Sequence, residues 1–142
     1  MAFNVLVVDD SAVMRAMVIR TLRLSGLPLG EVYEAGNGAE GLEQLDQHWV
    51  DLALLDINMP VMDGETMVDH IRENPATRDL SIVIVSTESS DTRVARLRAK
   101  GAAFVHKPFP PETLREVVLQ MTGVSDEELC GELAAPGGEL DF

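Results

Sequence analysis

The chain has 142 residues, enough for one domain with a sizeable core but too few for two ordinary domains. Its 24 acidic residues against 11 lysines and arginines give a net charge of −13, which argues against a nucleic-acid surface because phosphate binding needs clustered bases. No apolar stretch reaches the ~18 residues of a membrane span, and one cysteine, Cys130, cannot form an internal disulfide. These features predict a cytoplasmic protein without membrane insertion.

Strand-like and helix-like segments alternate five times along the chain. Strands are predicted at 4–9, 31–35, 51–56, 81–86 and 103–107. Helices are predicted from Ser11 to before Gly26, at about 38–47, between Gly64 and Pro75, and at about 91–100 and 111–121. This alternation implies right-handed βαβ units and a mostly parallel sheet covered by helices on both faces. The predicted fold is α/β, a flavodoxin-like doubly wound (βα)5 unit with a five-stranded parallel sheet of order 2-1-3-4-5.

The first predicted helix follows Ser11, a residue type that often caps helix N-termini. Its apolar residues recur at near-helical spacing, which is typical of an amphipathic helix. They are Val13, Met14, Met17, Val18, Leu22 and Leu24. Gly26 and Pro28 then end the helix, since neither residue type continues one well.

Polar side chains follow four of the predicted strands. The acidic pair Asp9-Asp10 ends the first strand, and Asp56 ends the third. Ser86 ends the fourth strand, and Lys107 ends the fifth. In open α/β sheets ligands bind at the carboxyl ends of the strands, where the strand order reverses. In the predicted order that point lies between strands 1 and 3, so we expect the three acids to meet there.

Three converging carboxylates repel one another unless a cation or a proton is present. Hard oxygen ligands of this kind suit Mg²⁺, which often takes phosphate oxygens as further ligands. Asp56 could then act as a nucleophile toward a phosphoryl group. Lys107 would supply a positive charge for a phosphate oxygen, and Ser86 would supply a hydrogen-bond donor. The predicted chemistry is therefore phosphoryl transfer, which depends mainly on positioning and charge neutralisation.

Several motifs together resemble the receiver domain of two-component response regulators, and over residues 3–121 the chain resembles a stand-alone, CheY-like member. They are Asp9-Asp10, Asp56 with Asn58-Met59-Pro60, Asp63-Gly64, Ser86 and Lys107-Pro108-Phe109. The resemblance implies that a sensor histidine kinase phosphorylates Asp56 in a Mg²⁺-dependent reaction. It implies that Asp9, Asp10, Asp56 and the backbone carbonyl of Asn58 hold the metal, with Asp9 acting largely through water.

The same resemblance assigns roles to residues around the acids. Ser86 and Lys107 would contact the phosphoryl group, and Phe104 falls at the position of the family's switch aromatic. Asn58 and Glu88 fall at positions that tune the lifetime of the phosphoryl group. The implied output is phosphorylation-dependent docking of a target protein on the face made by the fourth helix, the fifth strand and the fifth helix. Such a protein is a phosphoacceptor in signalling and not an enzyme acting on other substrates.

Residues 1–122 are predicted to form the receiver domain, and residues 123–142 an acidic tail with no output domain. The tail holds six acids and no base. Ser125-Asp126-Glu127-Glu128 has the form of a helix capping box. The tail is interpreted as a solvating terminus or as a docking element, the latter on a partner or near Arg93, Arg96 and Arg98 of the domain itself.

Alternative functions stay open on the sequence. A phosphate-relay intermediate or a phosphate sink would use the same site without a docking target. A Mg²⁺-dependent phosphohydrolase of the haloacid dehalogenase type needs a second acid two residues after the nucleophile, where this chain has Asn58. A flavodoxin would bind the phosphate of FMN after the first strand, where Asp9-Asp10 would repel it. The last two alternatives fit the sequence poorly.

Overall fold

The structure is a computed structural model that describes residues 2–57, 59, 61–87, 91–107 and 109–123. Strands and helices alternate throughout these residues. The strands are β1 (Phe3–Val8), β2 (Leu29–Ala35), β3 (Leu52–Leu55), β4 (Ser81–Ser86) and β5 (Ala102–His106). The helices are α1 (Ala12–Leu24), α2 (Gly38–Gln47), α3 (Gly64–Glu73), α4 (Asp91–Ala99) and α5 (Pro111–Thr122).

The five strands form one parallel sheet in the order β2-β1-β3-β4-β5, which confirms the predicted fold. Its register decides which strand ends meet. Val8 pairs with Leu55 of β3, so Asp9 and Asp56 follow directly on neighbouring strands. Ser86 pairs with His106 of β5, which brings Ser86 beside Lys107.

Helices cover both faces of the sheet, so alternate residues of β1 enter two different cores. Val5 and Val7 pack in the core beneath α1 and α5. Leu6 and Val8 pack in the other core, which includes Met67 of α3. A strand buried on both faces has no polar side, and this explains why residues 5–8 of β1 and the whole of β3 are continuous apolar runs in the sequence.

Helix α1 differs from a helix with a single buried apolar side. Val18 and Leu22 are buried against the sheet, whereas Val13, Met17 and Leu24 are 70%, 57% and 64% exposed. The reason lies in the 3.6-residue period, which puts these last three residues together on another side of the helix. The apolar residues of α1 therefore form two stripes, and only one of them belongs to the core.

The helix ends behave as the cap residues predict. The Ser11 hydroxyl accepts a hydrogen bond from the Met14 amide at 3.3 Å, so α1 begins directly after the acidic pair. Helix α5 begins at Pro111 without a side-chain cap, because Pro110 has no side-chain acceptor. Within the described part of the chain, every helix is too short or too polar to cross a membrane.

Candidate functional site

The carboxylates of Asp9, Asp10 and Asp56 converge at the carboxyl ends of β1 and β3, as the sequence predicted. Each offers an oxygen, and these oxygens all lie within 4.8 Å of one another. Asp9 is buried, Asp56 is partly buried and Asp10 is exposed, so the group opens to solvent on one side. Three hard anionic oxygens at this spacing fit a small divalent cation such as Mg²⁺, with water or phosphate completing its shell.

Asp9 makes contacts through both its carboxylate and its main chain. Its Oδ1 accepts a hydrogen bond from the Ser11 amide at 2.9 Å, and its Oδ2 lies 3.2 Å from the ammonium of Lys107. Its amide donates to the Ala35 carbonyl at 3.1 Å, and its carbonyl accepts from the Arg15 guanidinium at 2.6 Å. Both carboxylate oxygens of Asp9 therefore already have a partner in the protein.

Arg15 is a site-supporting residue that the sequence analysis missed. Besides the Asp9 carbonyl, its guanidinium contacts the Glu34 carboxylate at 3.0 Å, and so links α1 to the ends of β1 and β2. A basic residue one turn after the cap Ser11, close behind two acids, is the sequence signal that could have indicated it. Arg15 fixes the main chain from which the acidic pair projects.

Asp56 follows directly on β3 and is partly buried. Its amide donates to the Val8 carbonyl at 2.9 Å, and its Oδ1 accepts from the Ile57 amide at 2.8 Å. Burial is the main cause that raises the pKa of this carboxyl above 3.8, opposed by the charge of Lys107 and assisted by Asp9 and Asp10. The carboxylate is therefore held in an unfavourable state that a cation would relieve.

Ser86 and Lys107 lie side by side at the ends of β4 and β5. The Lys107 amide donates to the Ser86 carbonyl at 2.8 Å. Ser86 is buried, and the Lys107 side chain is only 11% exposed. The structure thus brings the predicted hydroxyl and the predicted ammonium to the same edge as the three acids.

Phe104 lies farther along β5, opposite Ile84 of β4. It is partly buried and packs against the core that contains Met67, and its ring centroid lies 6.5 Å from that of His106. Asn58 and Glu88, predicted as metal ligand and lifetime-tuning positions, lie outside the described residues. So does the tail beyond Gly123, with the capping-box sequence and the end of the chain.

The loop after Asp56 is tightly closed. The Gly64 amide donates to the Ile57 carbonyl at 2.8 Å, and a Cβ at Gly64 would collide with the Asp56 carbonyl oxygen. Val61 in the same loop has a φ of +67° and is 85% exposed. A β-branched residue in the left-handed region is strained, so this loop holds an unfavourable conformation beside the acids.

An ionic network joins α3 to α4 next to this loop. The Glu65 carboxylate receives hydrogen bonds from Arg96 at 2.9 and 3.1 Å and from Lys100 at 3.2 Å. Lys100 also lies 2.7 Å from Asp69, and Arg93 lies 3.8 Å from Glu65. The hydrogen bond from Arg96, assisted by Lys100, lowers the pKa of Glu65 to about 2 against the opposing effect of burial.

This network bears on the predicted docking of the tail. Of the three arginines considered for that docking, Arg93 and Arg96 already lie against acids of α3, and Arg98 is exposed. An acidic tail would have to compete with Glu65 for the first two. Glu65 and Arg96 are 31 residues apart, so no local sequence pattern could indicate that they pair.

Comparison with known proteins identifies relatives along nearly the whole domain. The family model "Response regulator receiver domain" matches residues 5–119. The chemotaxis protein CheY1 of Helicobacter pylori is 35% identical over 125 residues, which are 87% of this chain and 99% of that protein. The structure of Vibrio cholerae CheY4 matches with 34% identity and a TM-score of 0.74, covering 85% of this chain and 99% of CheY4.

A third similar protein was solved as a complex, the CheX-CheY-BeF3-Mg complex of Borrelia burgdorferi. The match has 28% identity and a TM-score of 0.74, and it covers 84% of this chain and 89% of the matched one. The order of strands and helices in the present chain is that of a CheY-like fold.

Proposed function

This chain belongs to the family of response regulator receiver domains, and from that premise we propose that it is a CheY-like regulator phosphorylated on Asp56 by a sensor histidine kinase. The observation that carries the proposal is the convergence of Asp9, Asp10 and Asp56 within 4.8 Å, with Lys107 bound to one of them. Receivers are signalling proteins, and we place this one in the cytoplasm, where its single cysteine stays reduced.

The proposed reaction is a direct phosphoryl transfer. A carboxylate oxygen of Asp56 forms a bond to phosphorus while the bond from phosphorus to the donor's imidazole nitrogen breaks, and that nitrogen keeps the electron pair. Mg²⁺, held by Asp9, Asp10 and Asp56 and by the Asn58 carbonyl, would supply positive charge to the phosphoryl oxygens. The ammonium of Lys107 and the hydroxyl of Ser86 contact those oxygens from the other strand ends.

The proposed output is a shift between two states of the face formed by α4, β5 and α5. Contact between the phosphoryl group and Ser86 favours one position of Phe104, and loss of the contact favours another. Phe104 is partly buried in β5, three residues before Lys107. A change at the phosphoryl group is therefore close enough along the strand to affect it. A target protein docks on that face when Asp56 is phosphorylated, and Glu88 and Asn58 set how long this state lasts.

Docking to a target is favoured over a relay or a phosphate sink because similar proteins are chemotaxis CheY proteins, one of them solved bound to CheX. A phosphohydrolase has less support, since the family match spans residues 5–119 and leaves Asn58 where such an enzyme needs an acid. The net charge of −13 gives no support for a nucleic-acid partner.

Phosphorylation is tested by incubating the protein with acetyl phosphate, or with a histidine kinase and ATP, with and without Mg²⁺. We expect a base-labile acyl phosphate that requires Mg²⁺ and is absent from Asp56→Asn, while Asp69→Asn, at a partly exposed position of α3, is labelled normally. Full labelling of Asp56→Asn at another residue would reject the assignment.

The output is tested by comparing partner capture by wild type with beryllofluoride and Mg²⁺ against capture by Asp56→Asn. A partner retained only in the first case supports docking, whereas transfer of the phosphoryl group onward supports a relay. The switch is tested by NMR, where signals of Phe104 and Val105 should shift with beryllofluoride. If they stay in place, the proposed movement of Phe104 is wrong.

A further inference from the structure

The single tryptophan of the chain, Trp49, lies exposed in the connection between α2 and β3. Its side chain is 78% exposed. Its indole Nε1 donates to the Asp51 carboxylate at 2.9 Å, and its carbonyl accepts from the Asn4 side chain at 3.2 Å. An exposed indole usually gains from folding onto apolar neighbours, so a hydrogen bond that keeps it outward calls for an explanation.

The loop around this tryptophan is fixed from both directions. The second oxygen of Asp51 accepts from the Asn4 amide at 2.9 Å, and the Asp51 amide donates to the Asn4 carbonyl at 2.8 Å. On the other side, the ring of His48 stacks on Tyr33 with centroids 4.1 Å apart. The orientation of the indole is therefore set before any partner arrives, which lowers the entropy lost on binding.

Trp49 lines a cavity of about 240 Å³, and a second cavity of about 490 Å³ adjoins the first. Both are lined by Leu45 of α2 and by Ala76 and Thr77 after α3, so they form one groove between the ends of these helices. The groove adjoins the beginnings of β3 and β4, at the opposite end of the sheet from Asp56. A partner there would leave the phosphorylation site accessible.

The groove is strongly acidic. Among the described residues, its lining includes four acids and no lysine or arginine: Asp46, Asp51, Glu73 and Asp79. Helix α5 also ends at this side of the domain, because Thr122 lines a third cavity together with Asp51 and Asp79. Six further acids and no base follow Gly123 in the sequence. The negative charge disfavours the chain's own acidic tail as the occupant and favours a cation.

We propose that Trp49 and this groove form a docking surface for a segment of a partner protein that carries arginine or lysine next to apolar side chains. A guanidinium over the face of Trp49 would gain a cation–π interaction, and Asp51 and Asp79, which line the same cavity, would add ionic attraction. The apolar side chains of the segment occupy the space over Leu45. This inference does not depend on phosphorylation and stands apart from the proposed function.

The test uses the full chain and the fluorescence of its only tryptophan. The probe is an amidated nine-residue peptide that alternates leucine and arginine, and its matched control replaces each arginine by citrulline. We expect saturable quenching by the arginine peptide, weakened by about tenfold or more between low and physiological salt. Equal binding of the citrulline peptide, or no saturable change up to about 1 mM, would overturn the proposal.

Variants then locate the binding by calorimetry, with folding checked by circular dichroism. Trp49→Ala should weaken the arginine peptide about fivefold or more, and Glu73→Gln should weaken it by less. Met17→Ala, which truncates an exposed apolar residue of α1, should have no effect. An unchanged affinity for Trp49→Ala would mean that the peptide binds acidic surface at random, and would refute the site.

Two further outcomes would replace the proposed occupant. If free spermidine binds as tightly as the peptide, the surface is a small-cation site and not a docking surface for a protein segment. If neutralising the tail in the full chain, by Glu127→Gln, Glu128→Gln and Glu132→Gln together, alters the Trp49 emission without peptide, the tail itself occupies the groove. Unaltered emission and a preference for the peptide support the proposal.

Discussion

The ammonium of Lys107 lies 3.2 Å from the carboxylate of Asp9, although 98 residues separate them in the sequence. The two side chains are 11% and 4% exposed, so the pair is shielded from solvent. Lys107 balances one of three neighbouring carboxylates and is at the same time positioned to meet an incoming phosphoryl group. The same lysine therefore contributes both to the stability of the site and to its proposed chemistry.

Lys107→Ala should lower the free energy of unfolding by roughly 2–3 kcal/mol in the absence of metal, because it leaves Asp9 buried beside two other acids. Saturating Mg²⁺ should recover part of the loss by binding the folded state. Urea unfolding with and without Mg²⁺ measures both effects. Phosphorylation should remain possible while signalling is lost, and Arg98→Ala, at an exposed position of α4, is the control. If Lys107→Ala without metal is as stable as wild type, Lys107 does not offset the charge of the Asp9 carboxylate.

Asp56→Asn should stabilise the metal-free domain at pH 7, by on the order of 1 kcal/mol, the usual scale of single stabilising substitutions. Burial raises the pKa of Asp56 in the folded state, so the ionised carboxylate opposes folding above that pKa. The advantage of the variant should shrink as pH falls through the raised pKa and vanish below about 3.8. Urea unfolding at several pH values without Mg²⁺ provides the measurement, with Asp46→Asn as an exposed control.

Glu65→Gln should destabilise the domain at pH 7 by removing the acceptor shared by Arg96 and Lys100. Because these contacts lower the pKa of Glu65 from 4.5 to about 2, their contribution is complete above pH 4.5 and is lost as pH falls toward 2. The difference from wild type should also diminish in 1 M salt, since the arginine side is exposed. Chemical denaturation at several pH values and salt concentrations measures this difference. If the difference in unfolding free energy does not change with salt, the effect is not ionic.

Gly64→Ala should disturb the phosphorylation site more than Gly41→Ala, although both glycines begin or occupy a helix. A Cβ at Gly64 meets the rigid main chain of Asp56 and stands 3.0 Å from Cα of Ile57, whereas at Gly41 it meets first the flexible end of Met67 at 2.6 Å. We expect a loss of roughly 3 kcal/mol or more for Gly64→Ala and a smaller loss for Gly41→Ala. Thermal unfolding and the rate of acetyl phosphate labelling provide the comparison.

Arg15→Ala should weaken Mg²⁺ binding several-fold without removing any metal ligand. Its guanidinium holds the Asp9 carbonyl at 2.6 Å and Glu34 at 3.0 Å, and so positions the acidic pair. Arg15→Lys keeps the charge but not the two directed contacts, and should bind Mg²⁺ with intermediate affinity. Calorimetric titration with Mg²⁺ measures this, while Arg23→Ala at the far end of α1 should bind as wild type does. Full affinity in Arg15→Lys would indicate that charge alone matters.

Much of the fold could be predicted from local sequence patterns. The apolar runs of β1, β3 and β4 indicated buried parallel strands, and the helices between them followed from apolar spacing, caps and breakers. Once the strand order was assumed, the meeting of Asp9 and Asp56 followed from topology, since both come directly after paired strand residues. These features are predictable because they depend on period and position along the chain.

What the sequence determined by itself was the βα alternation, the α/β class and the acids that end β1 and β3, because each is encoded within a few neighbouring residues. Only the tertiary structure decided which apolar stripe of α1 is buried, that Arg15 supports Asp9, and that Glu65 binds α4 through Arg96. The outward position of Trp49 also became visible only there. These contacts join residues whose distance depends on how helices pack on the sheet, and no local pattern carries that information.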